Sequence, residues 1–273
     1  MPYVTTADGC SLFYRDWGSG SPVVFLHGWG LGSGMWEYQM PWLVDQGLRC
    51  VAFDARGCGR SDDPGRGYDF DTLASDLAVV LENLDLTGVT LVAHSMASGT
   101  VARYLTLHGA TRIARVLLLA PTTPFVLKTG DNPHGVDKAA FDFTCDQLAR
   151  DRPRFLAAGA EAFFGRGTEQ SPVSREIIEW AVGLALQASP RATIGYVRTF
   201  SESDLRGDLR SFTVPTLVIH GDADQSTPLE LTGRPTARGI DGARLVVYEG
   251  AAHGLFFTEK ERLNRDLLEF VSS

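Results

Sequence analysis

A hydroxyl, an imidazole and a carboxylate stand at positions 95, 253 and 224, each just past a short apolar run. Ser95 lies in Leu91-Val92-Ala93-His94-Ser95-Met96-Ala97-Ser98-Gly99. Here a strand pattern passes directly into small residues and then into a helix pattern. A sharp turn of that kind lifts the central side chain out of the backbone path. The hydroxyl would then stand above the C-terminal edge of a parallel sheet, where open α/β folds bind ligands. The N–H of Met96 opens the next helix, so it points towards developing negative charge with the helix dipole behind it. The strict G-x-S-x-G pattern fails, because Ala93 and Ala97 stand where Gly is expected. What strand-on-helix packing needs there is a small side chain, and Ala meets that need. The plain alternative is a serine in an ordinary strand-to-helix loop.

Asp224 lies in His220-Gly221-Asp222-Ala223-Asp224-Gln225-Ser226-Thr227-Pro228, and His253 in Glu249-Gly250-Ala251-Ala252-His253-Gly254. Both follow strand-like runs and so reach the same sheet edge as Ser95. A hydroxyl is a poor nucleophile until a neutral imidazole takes its proton. The imidazole in turn needs a carboxylate on its far N–H, to fix the tautomer and stabilise the imidazolium. The chain order Ser, acid, His is the one expected for such a sheet. Asp222 competes with Asp224, but it directly follows Gly221 and suits a turn bond to nearby backbone. Asp204 and Asp208 are more distant choices.

The segment Phe25-Leu26-His27-Gly28-Trp29-Gly30 ends another apolar run. Its flexible loop can present the backbone N–H of Trp29 to the same site as that of Met96. Two such donors make an oxyanion hole, each contributing about 3 kcal/mol to the transition state. His27, at the strand end, reads as structural. His94 should point away from Ser95, His108 lies near a helix C-terminus, His134 is in a loop and His220 ends a strand. Cys58 has no histidine in a matching position and reads as a plain loop thiol. There is no H-E-x-x-H, no clustered Cys or His, no G-x-G-x-x-G after a strand and no G-x-x-x-x-G-K-[ST], so no metal, nucleotide or other cofactor is expected.

The elements that must position these groups follow from the patterning. Short β-branched runs alternate with amphipathic stretches, which predicts an α/β fold with a mostly parallel sheet and helices on both faces. A hairpin, Tyr3–Thr6 and Ser11–Trp17 about Asp8-Gly9, is followed by buried strands at Pro22–Leu26, Cys50–Phe53, Val89–Ala93, Val116–Leu119, Thr216–His220 and Arg244–Tyr248. Leu73, Leu77, Val80, Leu81 and Leu84 recur at helical spacing, with Asp69 or Asp71 placed to cap. A helix after Ser95 carries Val101, Ala102 and Leu105 on one face and stops at Gly109. A capping box at Thr258-Glu259-Lys260-Glu261 predicts the start of the last helix, which continues through Leu263, Leu267 and Val271.

The alternation breaks between about 121 and 210, where helix-type pattern, aromatics and Pro124, Pro133, Pro153, Pro172 and Pro190 dominate. This stretch reads as a helical lid inserted into a core formed by residues 1–120 and 211–273. Phe125, Phe143, Trp180 and Phe200 are candidates to line an apolar pocket, although plain core packing also explains aromatics in such helices.

The 273 residues are ample for a sizeable core, and 44% hydrophobic with 21% charged residues is ordinary for a globular protein. The formal charge of −8 argues against nucleic acid or an anionic membrane as partner. The four cysteines include no C-x-x-C pair and fit a reducing cytoplasm. The N-terminus carries no signal-peptide pattern, and the longest apolar runs, such as 116–121, are too short to span a bilayer. Nothing sets an oligomeric state, and a homo-oligomer is compatible with the sequence.

Together His27-Gly28-Trp29, the run Phe53-Asp54-Ala55-Arg56-Gly57-Cys58-Gly59-Arg60-Ser61-Asp62, the serine turn, Gly221-Asp222-Ala223-Asp224 with Pro228, and Ala252-His253-Gly254 resemble α/β-hydrolases. Met35-Trp36-Glu37-Tyr38-Gln39, residues 215–222 and residues 262–268 resemble the bacterial arylesterases and cofactor-free haloperoxidases, also called perhydrolases. The likeness covers nearly the whole chain and is thinnest in the insertion. It implies an α/β-hydrolase fold with an eight-stranded sheet, Ser95, Asp224 and His253 as triad, and the backbone of Trp29 and Met96 as oxyanion hole. It departs at Ala93, Ala97 and Ser98, where the family usually has Gly. The expected activity is hydrolysis of a small-molecule ester or lactone through an acyl-enzyme. Perhydrolysis by the same acyl-enzyme and thioester hydrolysis of a specialised metabolite are alternatives. Haloalkane dehalogenases and epoxide hydrolases place Asp where Ser95 stands, which disfavours them. A ligand-binding receptor on the same fold is the non-enzymatic alternative.

Overall fold

The computed structural model describes residues 2–165 and 173–273. Among them eight strands form one sheet: β1 (Tyr3–Thr5), β2 (Ser11–Trp17), β3 (Pro22–Leu26), β4 (Arg49–Phe53), β5 (Val89–His94), β6 (Ile113–Leu119), β7 (Thr216–Gly221) and β8 (Arg244–Tyr248). Their order is β1-β2-β4-β3-β5-β6-β7-β8, with β1–β2 and β2–β4 antiparallel and every later pair parallel. The helices are α1 (Met40–Asp45), α2 (Phe70–Asn83), α3 (Ala97–His108), α4 (Lys138–Phe163), α5 (Arg175–Leu186), α6 (Pro190–Glu202), α7 (Gly233–Gly239), α8 (Leu255–Thr258) and α9 (Lys260–Ser272). No helix among the described residues is long and apolar enough to cross a membrane.

Side chains alternate across a strand, so a central strand buried on both faces feeds two cores. In β5 every residue is buried. Val92 joins Phe25, Leu117 and Ile219 in one core, which α1, α8 and α9 cover. Leu91 and Ala93 join Val24, Leu118 and Val218 in the other, under α2 and α3. β8 departs from expectation: as the sheet edge, it leaves Leu245, Val246 and Val247 only partly buried.

Local signals decide the helix ends. Asp69, not Asp71, caps α2, accepting the Thr72 N–H at 2.9 Å. Gly109 closes α3 with φ +71°, a conformation that costs glycine little. The capping box at Thr258 does not form. Thr258 ends the short helix α8, its hydroxyl is buried without a partner, and α9 starts from Glu259 with no side-chain cap. The chain turns early because the Gly254 N–H bonds to the Phe163 carbonyl at 2.7 Å, which begins a helical turn before the expected start.

Between β6 and β7 the chain carries α4, α5 and α6. Inside α4, Asp151 leaves helical geometry (φ −156°, ψ 76°) just before Pro153. Its carboxylate accepts the Arg154 N–H at 3.2 Å, so the second half of α4 starts as a newly capped helix. Ser174 caps α5, and Ser189 with Pro190 opens α6.

Candidate active site

Ser95 sits between the end of β5 and the start of α3 with φ +56°, a rare conformation for a residue with a Cβ. Three backbone bonds hold it there: its N–H donates to Leu119 at 2.9 Å, and its carbonyl accepts from Ser98 at 3.0 Å and Thr122 at 3.3 Å. The small residues around it divide into two kinds. A Cβ on Gly28 would lie 2.4 Å from His94 Nδ1, and one on Gly99 would lie 2.2 Å from the Phe70 ring. Ala93 and Ala97, by contrast, are accommodated and buried. Ser98 adds a bond instead of bulk: its hydroxyl accepts the N–H of Thr122 at 3.1 Å and lies 3.4 Å from that of Thr123.

The three groups singled out from the sequence meet. His253 Nε2 lies 2.9 Å from Ser95 Oγ, and His253 Nδ1 lies 2.6 Å from Asp224 Oδ2. A carboxylate only accepts, so Nδ1 carries the proton and Nε2 is left to accept from the serine hydroxyl. Asp224 Oδ1 accepts the N–H groups of Ser226 at 2.8 Å and Thr227 at 2.9 Å, and Oδ2 accepts the Thr227 hydroxyl at 2.9 Å. Burial opposes ionisation of Asp224. The charge of His253 and hydrogen bonds from His220, His253 and the Thr227 N–H outweigh it, holding the carboxyl well below the usual carboxylate range. Asp222 instead accepts the Gly250 N–H at 2.7 Å, Asp204 pairs with Arg206, and Asp208 faces Arg103.

The other buried histidines support backbone. His27 Nδ1 donates to the Gly28 carbonyl at 2.7 Å and its Nε2 accepts the Ala55 N–H at 2.9 Å, joining two loops of the site. His220 Nε2 donates to the Thr227 carbonyl at 2.7 Å and lies 3.3 Å from Asp224 Oδ2. His94 lines the same cavity as Ser95. Its Nε2 meets the His253 carbonyl at 3.1 Å, its ring lies 4.7 Å from the His253 ring, and burial pushes its pKa well down. Burial pushes the Cys58 thiol up, away from thiolate chemistry.

Met96 precedes the first residue of α3, where N–H groups have no intrahelical partner. Trp29 lies in the loop after β3, followed by Gly30 at φ +72°. Its indole Nε1 donates to the Thr193 carbonyl on α6 at 2.9 Å, a contact the sequence does not announce.

A cavity of about 250 Å³ opens onto Ser95 and His253. Of the four aromatics expected to line it, Phe200 does so. Phe125 instead packs under the Arg206 guanidinium, 5.2 Å from its ring centre. Phe143 is 60% exposed, on the outer side of α4. Trp180 packs edge-on against Tyr38 at 6.0 Å, within the core. Phe155 and Phe163 from α4 and Ala181 and Ala185 from α5 take their place. Each pair is a multiple of four residues apart and shares a helix face. That spacing is visible in the sequence; which face looks at Ser95 is not.

A model of the alpha/beta hydrolase family matches residues 23–266. The non-heme chloroperoxidase CPO-A1 of Kitasatospora aureofaciens is 42% identical over 274 residues, spanning 100% of both chains. The bifunctional esterase/perhydrolase DCH of Acinetobacter calcoaceticus is 37% identical, again over 100% of both. The crystal structure of a bromoperoxidase from Bacillus anthracis superposes with a TM-score of 0.96 at 37% identity, covering 99% of each chain. The chain belongs to the alpha/beta hydrolase family.

Proposed function

We propose that the protein is a serine hydrolase that cleaves a carboxylic ester or lactone through an acyl-enzyme on Ser95. The observation that carries this reading is the continuous relay from Ser95 Oγ through His253 to Asp224, at 2.9 and 2.6 Å, beneath an apolar cavity. Ser95 Oγ bonds to the substrate carbonyl carbon as its proton passes to His253 Nε2. The oxyanion rests on the N–H groups of Trp29 and Met96. When the carbonyl re-forms, the C–O bond to the alcohol breaks and His253 returns the proton to that oxygen. A water then gives a proton to His253 and its oxygen to the acyl carbon, releasing the acid and restoring Ser95. Residues 121–210 act as the cap that closes this site, and the four cysteines, all buried and free, fit work in the cytoplasm.

Ser95→Ala assayed on a p-nitrophenyl ester should lose turnover by about 10⁶-fold. Unchanged activity would remove Ser95 from the mechanism. Labelling by an alkyl fluorophosphonate separates an enzyme from a receptor on the same fold, since only an activated serine reacts.

Perhydrolysis is the second reading, favoured by relatives named as haloperoxidases and as an esterase/perhydrolase. Hydrogen peroxide would replace water as acyl acceptor, its proton passing to His253 and the product being a peracid. Peracid formation that disappears in Ser95→Ala tests it.

A further inference from the structure

The cavity above Ser95 is walled mostly by apolar side chains. Leu31, Ala160, Phe164, Ala181 and Ala185, all buried, are part of that wall. Ser226, on the loop that carries Asp224, and Gly159 of α4 are its exposed lining residues. Among the described residues no Asp, Glu, Lys or Arg lines it. Of the polar groups present, those of the relay are already engaged, while His94 Nδ1 is buried without a partner. The Thr227 hydroxyl is bonded to Asp224, His94 Nε2 to the His253 carbonyl, and His253 and Ser95 to each other.

The acyl half of an ester stays bound until water arrives, after the leaving alcohol has taken its proton from His253 and departed. A cavity of about 150 Å³ with an apolar wall accepts benzene. One of about 250 Å³, shared between the two halves, has room for an acyl group larger than acetyl. A charged acyl group would be buried there without a partner.

We infer that this enzyme, if the acyl-transfer reading above holds, takes esters whose acyl part is uncharged, apolar and larger than acetyl, alkyl or aryl. The room for it is set by Ala160 of α4 and by Ala181 and Ala185 of α5. The same preference applies to any peracid it makes.

The experiment is a series of p-nitrophenyl esters on the wild-type protein, from acetate to decanoate, with the hemisuccinate as charged probe. kcat/KM should rise by about fourfold per methylene until the cavity is full, then fall. The hemisuccinate should lie at least about 100-fold below the uncharged ester of equal length. In Ala181→Leu the hexanoate-to-acetate ratio of kcat/KM should drop by about tenfold or more. The ratio is independent of the amount of folded enzyme, and a melting curve checks the variant's fold. A wild-type protein that prefers acetate, or accepts the hemisuccinate equally well, overturns this inference and leaves acyl transfer standing. Failure of a fluorophosphonate to label Ser95 overturns acyl transfer, and this inference with it.

Discussion

His94 and His253 lie ring against ring, 4.7 Å between centroids, and His94 Nε2 holds the His253 carbonyl at 3.1 Å. Burial first, and then the neighbouring His253, pushes the pKa of His94 well below its ordinary value. A neutral His94 places no like charge beside the His253 ring.

That neutrality has a signature in stability. His27 is also lowered, by burial that outweighs Asp54 and its bond to Gly28. In the unfolded chain both rings return to an ordinary pKa of about 6.5. Below that pH the unfolded state binds more protons than the folded one. Stability is therefore complete above about pH 6.5 and falls as pH drops towards the folded values, by up to about 1.4 kcal/mol per pH unit for each ring. Thermal melts from about pH 7.5 to about pH 5 should show this decline, and His94→Asn should flatten it. A melting temperature constant over that range refutes the assignment of neutral rings.

Asp224→Asn should lower kcat on a p-nitrophenyl ester by about 10⁴-fold with little change in fold. The carboxylate now accepts from the Thr227 hydroxyl and from His253 Nδ1 on one oxygen. An amide cannot stabilise an imidazolium and permits the wrong tautomer. Steady-state kinetics beside a circular dichroism spectrum decide it.

The glycine positions around Ser95 should behave unequally. Gly99→Ala drives a methyl to 2.2 Å from the buried Phe70 ring and should destabilise the protein by about 1–3 kcal/mol. Ala93→Gly and Ala97→Gly only remove a buried methyl and meet no such clash. Urea denaturation of the three variants would rank them, and a Gly99→Ala protein as stable as wild type would contradict the packing.

Ser98→Ala removes the nearer of two acceptors of the Thr122 N–H and leaves the Ser95 carbonyl at 3.3 Å. A loss of about 1 kcal/mol is expected, that of one net hydrogen bond. Thr122 lines the cavity, so KM should shift in the same variant. A denaturation midpoint equal to wild type would mean that the Ser95 carbonyl alone satisfies Thr122.

The strands and the serine turn were legible because they are local: a period-two or continuous apolar run and a handful of small residues determine them. The convergence of Ser95, Asp224 and His253 was legible because a parallel sheet sends every strand's C-terminus to one edge. The cavity was not. Phe143 and Phe163 are both phenylalanines on α4, yet one is 60% exposed and the other packs edge-on against His253. The difference depends on how α4 docks, and the break at Asp151 rotates its second half away from the register of its first. The Thr258 box failed for a similar reason, because a contact from Phe163, 91 positions earlier than Gly254, starts the turn ahead of it. Nor was the contact of His94 with His253 legible, since nothing near it in sequence reveals that the His253 carbonyl meets its ring.

The indole of Trp29 hangs from the main chain of α6 at Thr193, while the same residue lines the cavity over the serine. The helical insert is thus not a detachable module set over an independent engine. Swapping it for the insert of a relative, to retarget the protein to another acid, must carry along a carbonyl in the place of Thr193. A graft that lacks it would loosen the floor of the site while changing its ceiling.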